Sequence, residues 1–378
     1  PGTTSRYLTA AEVKLRCEAT NQPIIVAGNP LLKYYKELMD QSDENRLLLE
    51  DEYASWGNSI KNFGGMNEAV EKIHLIDQKK AEEERFRQFA AQSGKPEYKD
   101  VIERIEKLCQ TYTDTLHDAT LYRIALQDQS LWIRPSLIEA YEKALKGGKE
   151  KGIEAAKKAI MDYCMEHNAG VDLKIDCGKV LLLTPYFVKE RKLKAMPAYL
   201  NGNKDVESYI RAIYAGTVFA NKDRLTEALA KNDAQVLKND PLYKQVVDLL
   251  DYSEQATKGL QTYNAQRKEL DKIYVRGLCE MYDWSKAPDA NFTLRMTYGH
   301  VMDLIPRDGV RYDWRTVLDG MFEKESKSES DYFINERLRK LFDAKDFGRY
   351  AREDGKLPAC FLSNNDITGG NSGSGVLN

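Results

Sequence analysis

Apolar residues recur at helical spacing through most of this chain. From Asn29 to about Tyr282 the sequence is rich in Ala, Glu, Lys, Leu and Gln, with an apolar residue every three or four positions, the pattern of amphipathic helices. Asn29-Pro30 predicts a helix start, a capping side chain followed by proline in the first turn. Gly64-Gly65 predicts a stop, after which Asn67 caps a helix carrying Val70, Ile73, His74 and Ile76 on one face. Further helices are expected near 97–127, 134–147, 150–167, 205–220, 223–231 and 240–283. In the last, Val246, Leu249, Leu250, Leu260, Leu270, Ile273 and Leu278 keep one apolar stripe. Such lengths suit a long-helix bundle.

The pattern changes at both ends. Residues 1 to about 27 read as extended or irregular, closing on Pro23-Ile24-Ile25-Val26. Beyond Asp283-Trp284, the stretch Asn291 to Val301 alternates apolar and polar residues, as a strand does. Short helices are expected near 315–323 and 333–343, and Ala359 to Ser363 reads as a short strand leading into a glycine-rich end. The expected class is α+β, mostly α.

Composition narrows the function. Lys and Arg total 56 against 59 Asp and Glu, a net charge of -3, which excludes the broad basic face of a nucleic-acid binder. The longest apolar stretch, around Val180 to Leu183, is far too short to span a bilayer. The first six residues have neither the charged nor the apolar region of a secretory signal, and they lack an initiator Met, so a processed or truncated product is expected. Cysteines at 17, 109, 164, 177, 279 and 360 form no CxxC pair, so neither a zinc module nor a disulfide scaffold is expected and the redox compartment stays open. Gly147-Gly148-Lys149 lacks the spacing of a phosphate loop, no cofactor motif is visible, and the run Lys79 to Arg85 reads as a solvated helix face.

The glycine-rich end carries the sharpest chemistry. Attack on a peptide carbonyl needs a hydroxyl on a tight turn and backbone N–H groups aimed at the developing oxyanion. Gly370-Asn371-Ser372-Gly373 offers that in the Gly-x-Ser-Gly order, with Ser372 as nucleophile and the N–H groups of Gly370 and Ser372 as the oxyanion hole. Asn371 stands where an activating Asp usually pairs with a new N-terminus, so no such activation step is expected.

The stretch Asn365-Asp366-Ile367-Thr368-Gly369-Gly370-Asn371-Ser372-Gly373-Ser374 resembles the serine loop of the bacterial dipeptidyl-peptidase seven and eleven family. Pro1 to Leu8, Asn58-Ser59-Ile60-Lys61-Asn62, Pro288 to Arg295, Tyr298-Gly299, Pro306 to Val310 and Lys345 to Tyr350 are similar to it as well. The resemblance runs the length of the chain but covers only part of the family's length. It implies a chymotrypsin-like double β-barrel, here only partly present, with a large helical domain inserted in it. The domains would be a peptidase segment at 1–27, the helical domain at 28–284 and a peptidase segment bearing the nucleophile at 285–378. It also implies a periplasmic or secreted serine exopeptidase that releases dipeptides from oligopeptide N-termini, often as a homodimer. The family's catalytic His and Asp precede the Pro-Gly-Thr segment, so this piece alone is expected to be inactive. Gly375, where the family commonly has Pro, departs from the pattern.

An enzyme that cuts after the second residue must measure from a charged terminus. Asn58 and Asn62 lie four apart, on one helix face, and their amide oxygens can accept from an ammonium group. The resemblance places amine recognition at Asn58 first and Asn62 second; the alternative is ordinary surface or capping asparagines. Nearby Trp56 and Phe63 are either core aromatics or pocket walls. A triad inside this chain would need His300, with Asp303 or Asp308 to orient it, outside the chymotrypsin order. Cys164 and His167 share a helix face, but two ligands make no metal site. A reading from another class is a helical interaction protein with a flexible glycine-rich tail.

Overall fold

The computed structural model describes residues 4–290, 294, 296–326, 332–367 and 373–377. The chain divides into two compact units, one of residues 7–286 and one of residues 1–6 with 287–378. The fold is mostly helical with few strands.

The helical unit holds α1 (Ala10–Leu15), α2 (Gln22–Met39), α3 (Asp43–Lys72), α4 (Leu75–Ser93), α5 (Val101–Tyr122) and α6 (Pro135–Gly147). It continues with α7 (Glu150–His167), α8 (Leu173–Glu190), α9 (Val206–Gly216), α10 (Lys222–Ala230), α11 (Ala234–Lys238) and α12 (Pro241–Met281). Most starts follow from capping chemistry. The Asp172, Asp205, Asn221, Asp233 and Asp240 side chains each accept from a first-turn N–H. Gly94 and Gly148 end α4 and α6 in left-handed conformations, φ +68° and +63°.

Three apolar clusters fill this unit. One gathers Ile138, Tyr141, Ile160, Ile210, Phe219 and Val246. A second joins Leu31, Tyr35, Leu121, Phe187, Leu249 and Tyr252. The third holds Phe86, Tyr98, Ile105, Tyr263, Leu270 and Tyr274. Helix α12, 41 residues long and so about 60 Å, contributes to all three. Its Gly277 is required by a close approach: a Cβ there would lie 2.5 Å from the Phe86 ring.

Several sequence expectations are corrected here. Residues 10–27 are helical, and the compact helical unit begins at Tyr7 rather than near 27. Thr9 and Glu12 form a reciprocal capping box that starts α1. The run read as extended is α1, a π segment Arg16–Asn21 and the first turns of α2, with Ile24 and Ala27 in the core. Burial of this apolar stretch overrides its β-branched character. Pro30 lies inside α2, whose start is marked instead by Pro23 in the first turn. Gly64 and Gly65 do not stop α3, which packs along α2 and turns only at His74, in a left-handed conformation. Asn67, inside α3, accepts a 2.7 Å hydrogen bond from the Asn21 side chain rather than capping a helix. Helix α8 was not anticipated.

The second unit contains β1 (Leu304–Arg307) paired antiparallel with β2 (Val310–Tyr312), and β3 (Arg315–Val317) paired antiparallel with β4 (Pro358–Phe361). Short helices α13 (Asp319–Glu323) and α14 (Glu336–Asp343) stack the Phe322 and Phe342 rings at 3.8 Å. The strand expected from Asn291 to Val301 falls partly outside the described residues, and 296–300 has no regular structure.

Candidate functional site

Ser372 and Gly370 lie outside the described residues; the chain that leads to them does not. β4 pairs with β3, and beyond it Val301 and Ser363 form an antiparallel bridge. The N–H of His300 donates to the Asn364 side-chain oxygen at 2.7 Å, and the Asn364 N–H returns to the His300 carbonyl at 3.1 Å. Gly299 makes this contact possible, since a Cβ there would lie 2.6 Å from that oxygen and 2.8 Å from the Asn365 nitrogen. Arg6 forms an ion pair with Asp366, and its N–H donates to Asp289 at 2.9 Å. Gly373, immediately after the serine position, has φ +79°. Residues 363–366 are thus tied to His300 and Val301 and to Arg6.

Of the two carboxylates that an in-chain triad on His300 would use, Asp303 is engaged elsewhere. Asp303 accepts from Arg311 Nε and from the Trp314 N–H, both at 2.7 Å. Those bonds, the arginine's first, hold its carboxyl below the usual carboxylate range and leave it engaged elsewhere. Cys164 is fully buried, which pushes its thiol up to about 12, while His167 stacks on Tyr163 at 4.2 Å. These two side chains are committed to packing.

On α3, Asn58 and Asn62 are both exposed, and their side chains hydrogen-bond to no described residue. Along the same helix lies a cleft of about 820 Å³, lined by Ile24, Asp51, Glu52, Ser55, Trp56 and Ser59, with Phe63 from α3 and Arg123, Ile124, Gln127 and Asp128 opposite. Trp56 and Phe63, both half-buried, therefore line the cleft and also pack against the apolar cluster of Leu31 and Phe187. Trp56 is seated by Gly28 of α2, where a Cβ would lie 3.1 Å from the indole. The opposite wall is a π segment, Arg123–Gln127, continuing α5. Sequence reasoning missed this recess because its charged groups come from distant segments; the aromatic pair on α3 was its one visible trace.

A family model, Peptidase S46, matches residues 1–378. The chain belongs to the peptidase S46 family. A "Dipeptidyl-peptidase 7" of Phocaeicola vulgatus is 35% identical over 391 residues, covering 100% of this chain and 54% of the relative. An "Asp/Glu-specific dipeptidyl-peptidase" of Porphyromonas gingivalis is 29% identical, again covering 100% of this chain and 54% of the relative. The crystal structure of Porphyromonas endodontalis DPP11 in complex with the dipeptide Arg-Glu superposes with a TM-score of 0.86 at 23% identity, over 99% of this chain and 54% of that one. This chain thus spans about half the length of the S46 relatives it matches. Among the described residues no helix is long and apolar enough to cross a membrane.

Proposed function

We propose that this chain is the helical domain and nucleophile-bearing segment of a serine dipeptidyl-peptidase that releases dipeptides from oligopeptide N-termini. The observation that carries the reading is the S46 match over residues 1–378, with Ser372 at the centre of the Gly369-Gly370-Asn371-Ser372-Gly373 loop. In the complete enzyme Ser372 Oγ would attack the carbonyl of the second residue and pass its proton to a histidine outside this chain. The N–H groups of Gly370 and Ser372 would receive the charge on the carbonyl oxygen, and the same proton would then go to the departing amine. Asn58, with Asn62 beside it, would accept from the substrate's ammonium group and so set the distance to the cut; their exposed, unspent amides fit that role.

The second unit would be part of a chymotrypsin-like double barrel. Its two-stranded sheets and bare apolar side chains suit a surface covered in a longer protein. A periplasmic or secreted homodimer completes the proposal.

The test is made on the full-length gene product. Ser372→Ala should lower dipeptide release by several powers of ten and abolish fluorophosphonate labelling. A folded full-length protein whose serine neither labels nor matters would mark an interaction module instead. Asn58→Ala should raise KM for peptides with a free N-terminus, and unchanged kinetics would remove the amine ruler.

A further inference from the structure

The cleft between α3 and the π segment after α5 is unexplained by the serine loop, since it is built wholly from residues 24–128 of the helical unit. Three carboxyl groups, Asp51, Glu52 and Asp128, line the cleft with one guanidinium, Arg123. The Tyr35 hydroxyl donates to Glu52 at 3.0 Å and fixes it. The side chains of Asp51, Ser55, Ser59, Arg123, Gln127 and Asp128 line the recess and form no hydrogen bond or ion pair with a described residue. Water reaches Asp128, yet protein atoms crowd it, and that desolvation raises its pKa; Glu52 and Asp176 add to the rise while Lys179 and Arg123 oppose it.

Apolar surface runs beside these charges: Trp56 and Phe63 stand seven apart on α3, with Ile24 and Ile124 across from them. The recess has the volume of a small-ligand site, and single π turns within α-helices concentrate at functional positions. An anion is disfavoured by the carboxylate excess. A bare metal ion is disfavoured too, because no group of three or more His, Cys, Asp or Glu among the described residues could hold one.

We infer that this cleft is a binding site for an organic cation on an apolar stem, a lysine or arginine side chain or the ammonium end of a peptide. The stem lies against Trp56 and Phe63, with the cation near the indole face, and the head sits in the combined field of Asp51, Glu52 and Asp128 without bonding all three at once. The inference does not depend on Ser372 being a nucleophile.

Isothermal titration calorimetry on this chain tests it with three probes. Nα-acetyl-lysine amide carries only a side-chain cation, alanyl-alanine amide only a terminal ammonium, and Nα-acetyl-alanine amide no charge. One or both cationic probes should bind, which also identifies the source of the cation, and the neutral probe should not. Asp51→Asn and Asp128→Asn, both at exposed positions, should each weaken that binding about tenfold. Equal binding of the neutral probe, no binding of any probe at millimolar concentration, or binding indifferent to both carboxylate changes would overturn the assignment.

Discussion

Phe86 on α4 is sealed from solvent at 0% exposure, whereas Ile305 on β1 keeps 72% of its surface in water. That contrast holds across the two units. The helical unit closes three apolar clusters, and every helix in it satisfies its own interior backbone groups. In the second unit Ile334 is the large hydrophobic side chain buried among the described residues, while Leu294 and Met296 stand 99% and 85% exposed. A two-stranded ladder leaves two open edges and one uncovered face. Helical segments reach stability through local bonding plus shared cores; a strand needs neighbours on both sides before its side chains count.

Substitutions can break or sharpen this contrast. Phe86→Ala should have the largest effect, lowering unfolding free energy by about 3–5 kcal/mol in urea titrations followed by circular dichroism. Gly277→Ala should cost about 1–3 kcal/mol, because the new methyl meets the immovable Phe86 ring. Neighbouring carboxyls on α4 should respond to pH in opposite senses. Burial raises Glu83 above its ordinary value of 4.5, against the hydrogen bond it accepts from the Ala10 N–H at 2.6 Å. Its contribution therefore favours folding below the unfolded pKa and fades as pH rises through the folded one. Burial acts on Glu82 in the same direction, but Lys286, 2.7 Å away, and Lys79 outweigh it and lower its pKa. The contribution of Glu82 is present above the unfolded pKa and is lost as pH falls through the depressed one. Stability measured from pH 3 to 7 (roughly the span that brackets both carboxyls) should thus tilt one way in Glu83→Gln and the other in Glu82→Gln. Ile305→Ala should do least, within about 0.5 kcal/mol; a cost like that of Phe86→Ala would mean β1 already carries a core.

Helices with an uninterrupted apolar stripe were legible in the sequence. α6, α7 and α12 fall within two or three residues of their expected bounds, because periodicity and packing agree there. Local punctuation misled where packing overruled it. Pro30 sits in the middle of α2, and Gly64-Gly65 lies within α3 against the neighbouring helix. α8 went unseen because apolar residues fall on nearly every side of it, as at Val180 to Leu183, and so leave no clean stripe. Of the candidate site, the serine loop and Asn58 were readable as motifs. The carboxyl-lined cleft was not, since Glu52 and Asp128 are 76 positions apart and meet only through the packing of α2, α3 and α5.

Helix α12 acts on the three apolar clusters as a keel does on a hull. Because Val246, Leu249 and Leu270 ride on one continuous rod, no cluster can melt without releasing a stretch of backbone that the other two also grip. Loosening the end near Tyr243 should be felt by slowly exchanging amides near Leu278, more than fifty ångströms along the axis at about 1.5 Å per residue.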